Sequence, residues 1–278
     1  MILAVASGKG GTGKTTVSAN LARSLDMSVQ LLDCDVEEPN AHLFLHQDVN
    51  DSTPVHIPVP DVDEALCNGC NDCGVFCEYN AIVSFGKAPL LFPELCHGCG
   101  GCMKVCPQHA ITEKDRRIGL VETFQANGIA LVHGRLDVSV AMAPPLIRAV
   151  KQKADNNMPV IMDAPPGTSC PVITTLREVD YVVLVTEPTP FGLHDLTLAV
   201  DMVRELNLPF AVVVNRNGIG DNRVHEYCRQ EGIPILLEIP DDRRIAEAYS
   251  RGELMVDALP EYKVMFQDLF LQIESNSQ

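Results

Sequence analysis

A glycine-rich stretch near the start of the chain constrains the fold more than any other feature. A short apolar segment, Met1 to Ser7, runs directly into GKGGTGKT at residues 8–15. Glycines let successive backbone N–H groups turn inward around an anion, because a Cβ would block both the positive φ and the close approach. Val17, Leu21 and Leu25 then recur at helical spacing. The pattern predicts a strand, a phosphate-binding loop and a helix. The alternative, a strand-to-helix turn that is rich in glycine by chance, does not explain the complete match to the motif.

The loop motif assigns a role to individual residues. Lys14 is expected to reach the β- and γ-phosphates of a nucleotide, and Thr15 to offer its hydroxyl to Mg²⁺. The helix that begins near Lys14 directs its positive end at the phosphates. The nucleotide-binding residues predicted in this segment are Gly8, Gly10, Gly11, Thr12, Gly13, Lys14, Thr15 and Thr16.

Acidic residues end two further apolar runs. Val29 to Cys34 reads as a buried strand that ends in Asp33-Cys34-Asp35, and Pro159 to Ala164 places Asp163 at the end of another. Carboxylates at such strand ends face the crevice where open α/β sheets bind ligands. One acid of the first pair would orient water or hold magnesium, unless the pair serves as a helix cap or turn. Asp163 is predicted to hold Mg²⁺ through water, and the N–H of Gly167 to sense the γ-phosphate.

Two runs of cysteines lie between these acidic segments. The first run is Cys67, Cys70, Cys73 and Cys77, and the second is Cys96, Cys99, Cys102 and Cys106, followed by Pro107. Both have the spacing C-x₂-C-x₂-C-x₃-C, and each cysteine of the second run lies 29 residues after its counterpart in the first. The offset also relates Ala81-Ile82 to Ala110-Ile111. The segment is therefore an internal duplication of one small unit.

This spacing predicts two 4Fe-4S clusters with interleaved ligands. Three thiolates wrap around one cluster, while the fourth turns away and reaches the neighbouring cluster. Cluster one is assigned to Cys67, Cys70, Cys73 and Cys106, and cluster two to Cys96, Cys99, Cys102 and Cys77. Zinc is the alternative, but zinc sites use paired C-x₂-C units, and a third cysteine in the same loop suits a cubane better. The segment resembles a bacterial two-cluster ferredoxin, except that Glu78 replaces the usual proline after Cys77.

Composition limits the classes of function. No apolar run of the 278 residues approaches the ~20 residues of a membrane span, so we expect a cytoplasmic protein without stable membrane insertion or export. Lys plus Arg total 21 against 37 Asp plus Glu, a formal net charge of -16. This balance argues against a nucleic-acid-binding surface. Because the cytoplasm keeps thiols reduced, the 11 cysteines are expected to bind metal rather than form disulfides.

The remaining pattern predicts an α/β fold of the P-loop NTPase type, with a mostly parallel, doubly wound sheet. Further predicted strands are 129–133, 138–143, 181–186, 210–215 and 235–239, and helices are expected near 146–154 and 192–207. The apolar stretch 262–273 is expected to dock onto the body as a helix. The proline-rich segment 48–63 reads as an extended connector rather than a helix or central strand. We therefore place the ATPase domain at 1–61 and 116–278, interrupted by a small α+β ferredoxin-like domain at 62–115.

Three residues near one end of the predicted sheet are candidates for contacts with adenine. Asn215 ends the strand FAVVVN, and Pro240 and Asp241 follow the strand ILLEI. Turn chemistry explains all three equally well, since Asn, Pro and Asp are common turn residues. Cys170, beyond Asp163, is either a small buried thiol or lies near a switch surface.

Several segments together resemble a known family. Besides Lys14, the loop contains a second lysine, Lys9, as in the deviant Walker A loop of the MinD/Mrp/ParA class of P-loop ATPases. Other matching segments are DCD at 33–35, DAPPGT at 163–168, VTEPTPFG at 185–192 and IPDDRRIAEAYSRG at 239–252. Over nearly its whole length, the chain resembles MinD-superfamily ATPases that carry an inserted ferredoxin domain.

The resemblance implies an ATP-dependent homodimer that sandwiches two ATP molecules. In such a dimer Lys9 would reach the partner's phosphates, while Lys14 and Thr15 serve the nucleotide of their own subunit. Asp35 would position the attacking water, and Asp163 would bind Mg²⁺.

Three functions are compatible with these patterns. The first is an ATP-gated electron-transfer protein with a protein redox partner, favoured because the cysteine runs lie between Asp35 and Asp163. The second is an iron–sulfur carrier of the Mrp type, although the C-x-x-C pair of those carriers is missing from a C-terminal half that has only Cys170 and Cys228. The third is a MinD- or ParA-like positioning ATPase, which the acidic charge disfavours.

Overall fold

The computed structural model describes residues 1–45, 48–126 and 128–277. The strands are β1 (Ile2–Ala6), β2 (Val29–Asp33), β3 (Asp51–Val62), β4 (Ile82–Val83), β5 (Leu90–Leu91), β6 (Ile111–Ala126), β7 (Ile129–Leu136), β8 (Val160–Asp163), β9 (Tyr181–Thr186), β10 (Phe210–Asn217) and β11 (Ile235–Pro240). The helices are α1 (Lys14–Ser24), α2 (Asp72–Phe76), α3 (Gly101–Val105), α4 (Pro144–Lys151), α5 (Cys170–Leu176), α6 (Pro190–Glu205), α7 (Arg223–Gln230), α8 (Arg243–Ser250), α9 (Met255–Ala258) and α10 (Glu261–Asn276). Short 3₁₀ helices occur at Ala41–Phe44 and Pro93–Leu95.

The chain forms two compact units. The first comprises Met1–Ser52, Val121–Arg135 and Ile147–Gln278, and the second comprises Thr53–Leu120 and Leu136–Leu146. Strands β3, β6 and β7 and helix α4 each contain residues of both units, so every boundary between the units falls within a regular element rather than in a loop.

A large sheet organises the first unit. Within the described residues, nine strands form this sheet in the order β11-β10-β9-β1-β8-β2-β7-β6-β3. The neighbouring pairs from β11 to β7 are all parallel, which confirms the predicted parallel α/β architecture. The register pairs Asp33 with Asp163 on one side and with His133 on the other. The two predicted acidic strand ends are therefore neighbours in the sheet.

The central strands are covered on both faces. On one face Leu3, Val5 and Leu31 belong to a core that continues into α1, α9 and α10. The intervening residues, such as Ala4 and Leu32, are also buried. Burial of both alternating sets explains the continuous apolar runs in the sequence, since each face of a doubly wound parallel sheet is covered by helices.

The predicted docking of the C-terminal helix is confirmed. Phe266, Leu269 and Ile273 on α10 are buried in the same core as α1, and the Gln267 side chain donates to the Ser24 carbonyl over 2.9 Å. Within 1–45, 48–126 and 128–277, no helix combines the length and apolarity needed to cross a bilayer.

Two sequence-based expectations about strands were wrong. The segment expected to be a connector contains β3, a 12-residue strand that occupies the end of the sheet order. Its prolines are tolerated because an edge strand need not donate every N–H to a neighbour. The strand expected at 138–143 is absent. Ser139 has a left-handed φ of 70°, and the Val140 N–H donates to the Asp137 carbonyl over 3.1 Å, so the chain turns there instead.

The second unit repeats its backbone geometry. The helices α2 and α3 each begin after a left-handed residue, Asn71 with φ 70° and Gly100 with φ 67°. Another left-handed pair, Asn80 and His109, has φ values of 53° and 50°. These positions keep the offset found in the sequence, which confirms the internal duplication.

Candidate functional site

The predicted phosphate loop connects β1 to α1 as expected. Gly13 has φ 94° at the start of α1, and a Cβ there would overlap the Asn215 amide nitrogen. A Cβ on Gly8 would overlap the backbone of Asp195 in α6. Gly13 is therefore required both for its positive φ and for the close contact, whereas Gly8 is required for the close contact alone. The hydroxyl of Ser7 donates to the Lys9 carbonyl over 2.6 Å and stabilises the entry to the loop.

A cavity of about 570 Å³ lies against this loop. The predicted residues that line it are Gly10, Gly11, Gly13, Lys14, Thr15, Thr16, Asp35, Asn215, Pro240 and Asp241. Its volume lies within the range of small-molecule sites. The fold thus brings the loop, one acidic strand end and the three candidate base contacts to one cavity.

The Asp163 carboxylate is buried near Thr15, which lines this cavity. Asp163 is 1% exposed, and among the described residues no regular hydrogen bond reaches either of its oxygens. Burial raises the pKa of Asp163 to about 6, while the side chains of Thr15 and Ser18 and the Lys14 ammonium act in the opposite direction. An unpaired buried carboxylate is costly, and a metal ion or its water is the usual compensation. The side chain therefore fits the predicted role of a Mg²⁺ ligand.

Asp33 has the opposite environment, although it is Asp163's neighbour in the sheet. Its carboxylate accepts the N–H groups of Asp35, Asn40 and Ala41 over 3.1, 3.0 and 3.0 Å. Burial and the nearby Asp163 raise the pKa of Asp33 well above its usual value. The residue pattern alone left the two acids of this segment undivided, and the family resemblance assigned the water-positioning role to Asp35 but no role to Asp33. The structure gives Asp33 the task of holding the loop that carries Asp35.

Asp35 lines the nucleotide cavity. Burial raises the pKa of Asp35 to about 6, while the Lys14 ammonium acts in the opposite direction. Lys14 itself is 7% exposed. Asp35 and Lys14 therefore both line the cavity in which the phosphates of a nucleotide would lie.

The second lysine of the loop contacts α6. The Lys9 ammonium lies 3.9 Å from the Asp195 carboxylate and 5.9 Å from the centre of the Phe191 ring. Phe191 is 76% exposed. Both partners belong to the first turns of α6, and Lys9 is not among the residues that line the nucleotide cavity.

Asn215 supports the loop in addition to lining the cavity. Its amide nitrogen donates to the Thr12 carbonyl over 2.8 Å, and its amide oxygen accepts the N–H of Arg216 over 3.0 Å. Sequence reasoning missed Arg216, which has φ 53° and forms an ion pair with Asp241. Its only sequence signal was its position directly after a strand-ending asparagine. Tyr249 on α8 also lines this cavity and contacts Phe44 with a ring separation of 5.1 Å.

The segment after Asp163 is close to the loop. The Gly167 N–H donates to the Ser7 carbonyl over 3.0 Å, so the predicted contact with a γ-phosphate remains a prediction. Thr12 has a buried hydroxyl that lacks a partner among the described residues. Cys170 is exposed at the start of α5, so the buried thiol, one of the two alternatives, was wrong, and a position near a switch surface remains a prediction.

The eight clustered cysteines separate into two groups of four. The first group lines one cavity, at about 20 Å³, and consists of Cys67, Cys70, Cys73 and Cys106. The second lines another, at about 740 Å³, and consists of Cys77, Cys96, Cys99 and Cys102. Burial raises the pKa of the Cys73 thiol, and the Cys70 and Cys106 thiols raise it further. Each group thus contains three cysteines of one run and the last cysteine of the other.

Backbone N–H groups point at some of these sulfurs. Gly98 donates to the Cys96 sulfur, and Ala110 to the Cys106 sulfur, each over 3.4 Å. The turn that follows each run is also the same. Asn80 N–H donates to the Cys77 carbonyl and His109 N–H to the Cys106 carbonyl, each over 3.2 Å. The turn after Cys77 is therefore formed even though Glu78 stands where the second run has Pro107.

In the part of the chain that the structure describes, no group of three or more His, Cys, Asp or Glu side chains is arranged to hold a metal ion directly. A structural zinc site needs four ligands about 2.3 Å from one centre. The choice of 4Fe-4S clusters over zinc for the two cysteine groups therefore remains a prediction from their spacing.

A parallel sheet, a glycine loop at the start of α1 and acids at adjacent strand ends define a P-loop nucleotide-binding protein. Residues 3–255 match the family model of the CobQ/CobB/MinD/ParA nucleotide binding domain. The chain belongs to this family, and it is an ATPase of the P-loop class.

Individual relatives agree with this assignment. An uncharacterized protein of Methanocaldococcus jannaschii is 34% identical, over 91% of this chain and 90% of that protein. An iron-sulfur cluster carrier protein of Aquifex aeolicus is 27% identical over 95% of this chain, but this match covers only 64% of the carrier.

Solved structures show the same fold. The septum site-determining protein MinD with Mg-ADP from Pyrococcus horikoshii is 22% identical with a TM-score of 0.59, over 98% of this chain and 95% of that one. A ParA family ATPase from Chlorobium tepidum is 14% identical with a TM-score of 0.60, over 98% and 97%.

Proposed function

We propose that this ATPase is an iron–sulfur protein that couples ATP-driven dimer switching to electron transfer through two 4Fe-4S clusters. The observation that carries the proposal is the division of eight cysteines into two groups, each with one member from the other run. Interleaved ligands of this kind are typical of two-cluster ferredoxin segments. Residues 62–115 would be the inserted ferredoxin-like domain.

In the nucleotide site, the residues divide the work of phosphoryl transfer. The loop N–H groups from Gly8 to Thr16 would cradle the phosphates of ATP, and Lys14 would neutralise their charge. Thr15 and Asp163 would hold Mg²⁺, which supplies charge stabilisation to the transferred phosphoryl group. Asp35, held in place by Asp33, would orient the attacking water. Asn215, Pro240 and Asp241 would contact the adenine.

The grouping of the cysteines supports two 4Fe-4S clusters, because each group combines three thiols of one run with the last thiol of the other. Cys67, Cys70, Cys73 and Cys106 would hold cluster one, and Cys77, Cys96, Cys99 and Cys102 would hold cluster two. The bound clusters would supply one-electron redox chemistry. The Gly98 and Ala110 N–H groups donate to sulfur, and such bonds stabilise the more negative, reduced state.

Dimerisation would be the switch. In an ATP-bound homodimer Lys9 would leave Asp195 and contact the partner's phosphates. A cation supplied in trans to the transferred group accelerates related reactions by about 10³ to 10⁵. Hydrolysis would reverse the closure and return the loops after Asp35 and Asp163 to their open positions.

The direct test is anaerobic purification with iron and sulfide analysis and EPR of the reduced protein. We expect about eight irons and eight sulfides per chain. Cys106→Ser and Cys77→Ser form a matched pair, because each removes the ligand that crosses between runs. We expect each to perturb one cluster and leave the EPR signal of the other. A protein that binds two zinc ions instead of iron would contradict the proposal.

A second function, delivery of iron–sulfur clusters to other proteins, is favoured by the relatives named iron-sulfur cluster carrier proteins. A transfer assay to an apo-ferredoxin acceptor distinguishes the two functions. Electron transfer requires that the clusters stay bound while the acceptor remains empty. Rapid loss of iron and sulfide to the acceptor, dependent on ATP, would support the carrier.

A further inference from the structure

The two cysteine groups of the second unit differ in the space beside them. The group with Cys73 lines a cavity of about 20 Å³, and the group with Cys102 lines one of about 740 Å³. Because both groups come from the same spacing, both would hold a cluster of the same size. Cluster size therefore does not account for the difference between the two volumes.

Exposed apolar side chains surround this larger cavity. Val75 is 80% exposed, Tyr79 47% and Phe76 46%. Tyr79 stacks on His97 with ring centres 3.5 Å apart and planes tilted by 8°. These four residues all line the cavity, and we call them the cluster-two surface. Exposed apolar patches rich in aromatic residues are typical of protein interfaces.

Acidic side chains predominate in the lining of this cavity, although the Arg116 charge acts to lower the pKa of Cys96. Asp72, Glu78 and Glu113 line the same cavity, whereas no lysine or arginine is among its described lining residues. A protein with an apolar centre and a basic rim complements this arrangement. The same carboxylates disfavour a phosphorylated cofactor such as FMN, because like charges repel.

We propose that the cluster-two surface is the docking site for a redox protein with a basic rim, and that electrons enter or leave the chain through cluster two. The inference rests on the proposed function, because it requires a cluster held by Cys77, Cys96, Cys99 and Cys102. Each exchange moves one electron between that cluster and the partner's redox centre. One centre is oxidised as the other is reduced, and no bond is formed or broken.

Two exposed positions provide a matched test. Val75→Ser removes the most exposed apolar side chain of the cluster-two surface. Phe85→Ser is the control, because Phe85 is 78% exposed in the loop between β4 and β5. That loop belongs to the other group, since Ser84 lines the smaller cavity. Glu113→Gln is a second variant, which removes charge while keeping the shape of the side chain.

Cytochrome c serves as the basic redox protein in the experiment. Its binding in the oxidised form is measured by calorimetry, and electron transfer from the dithionite-reduced holoprotein is followed by stopped-flow absorbance. We expect Val75→Ser and Glu113→Gln to weaken binding and slow transfer about tenfold, about 1.4 kcal/mol, and Phe85→Ser to change neither. Transfer to methyl viologen, a small dication that needs no apolar docking surface, should be the same in the wild-type protein, Val75→Ser and Phe85→Ser.

The outcomes separate this inference from the proposed function. Equal effects of Val75→Ser and Phe85→Ser, or no effect of either, would overturn the docking site even if the protein contains eight irons. Tight binding of FMN that Val75→Ser abolishes would also overturn it, in favour of a small-molecule site. A protein without iron would refute the electron-transfer function, yet the calorimetric comparison would still test the surface.

Discussion

Two aspartates show how environment divides roles between identical side chains. Asp33 and Asp163 are neighbours across β2 and β8, and both are buried. Asp33 accepts three backbone N–H groups, whereas among the described residues no regular hydrogen bond reaches Asp163, and only side chains, those of Thr15 and Ser18, help to lower its pKa by hydrogen bonding. The satisfied carboxylate maintains a loop, and the unsatisfied one is available to a metal ion.

Asp163→Asn should abolish most Mg²⁺-dependent ATP hydrolysis while leaving the protein folded. Removing a group that stabilises transition-state charge costs on the order of 10² or more in rate. The melting temperature should not fall, because the substitution also removes repulsion between two buried carboxylates. Phosphate release and calorimetric melting measure the two effects.

Asp33→Asn is the matched comparison. It replaces one carboxylate oxygen with an NH₂ group, which cannot accept the N–H groups of Asn40 and Ala41. We expect a loss of about 2 kcal/mol in the free energy of unfolding. If Asp163→Asn proved the more destabilising of the two, the assignment of metal and structural roles would be reversed.

At the level of elements, the phosphate loop depends on β10. The Asn215 amide holds the Thr12 carbonyl, and it occupies the space that a Cβ on Gly13 would need. The loop therefore cannot change its conformation without displacing the end of a strand 203 residues away in sequence.

A double-mutant cycle tests this contact. Gly13→Ala should lower ATP affinity more in the wild-type background than in the Asn215→Ala background, because the second substitution removes the overlapping group. A coupling of about 1 kcal/mol is expected for directly contacting residues. Equilibrium binding of a fluorescent ATP analogue measures the four affinities. Strict additivity would show that the two residues do not contact each other in solution.

A buried polar pair links β6 and β7. The His133 ring nitrogen lies 2.9 Å from the Glu122 carboxylate, which also forms an ion pair with Arg135. The hydrogen bond from Arg135 lowers the pKa of Glu122 to about 2. Burial lowers the pKa of His133. It also lowers the pKa of His42, whose ring contacts that of His133.

This pair makes stability depend on pH. Because the folded state favours neutral His133, its contribution is present above about pH 6.5 and decreases as pH falls and the unfolded chain takes up the proton. The contribution of Glu122 is lost only at lower pH, between about 4.5 and about 2.

The difference in unfolding free energy between the wild-type protein and His133→Gln isolates the effect of His133. Relative to His133→Gln, the wild-type protein should lose unfolding free energy as pH falls from about 7.5 to 5.5. Urea unfolding at each pH measures this difference. The comparison cancels Asp35 and Asp163, whose raised pKa values contribute with the opposite sign. A difference that does not change with pH would show that His133 titrates normally.

The sequence predicted those elements whose signals are local. The phosphate loop and the Asp163 segment each combine an apolar strand with glycine or proline at fixed positions, so both were recognised. β6 was not predicted at all; its residues 112–117 are all polar and give no apolar alternation. The role of Asp33 also could not be read, since it depends on a loop that folds back to place Asn40 and Ala41 against the carboxylate.

On the scale of the whole molecule, one chain contains a P-loop ATPase unit and a duplicated cysteine unit. The boundaries between them fall within the strands β3, β6 and β7 and the helix α4. We propose that closure of the ATP-bound dimer changes the redox properties of the clusters. Lys9 is the residue through which one subunit would sense the nucleotide of the other.

The most direct measurement is a redox titration of the clusters, followed by EPR, with and without Mg·ATP. We expect ATP to shift at least one midpoint potential by about 60 mV or more, a tenfold change in a one-electron equilibrium. Lys9→Ala should bind ATP but show no shift, because it cannot bridge to the partner. Identical potentials and identical electron-donation rates with and without ATP in the wild-type protein would contradict the account.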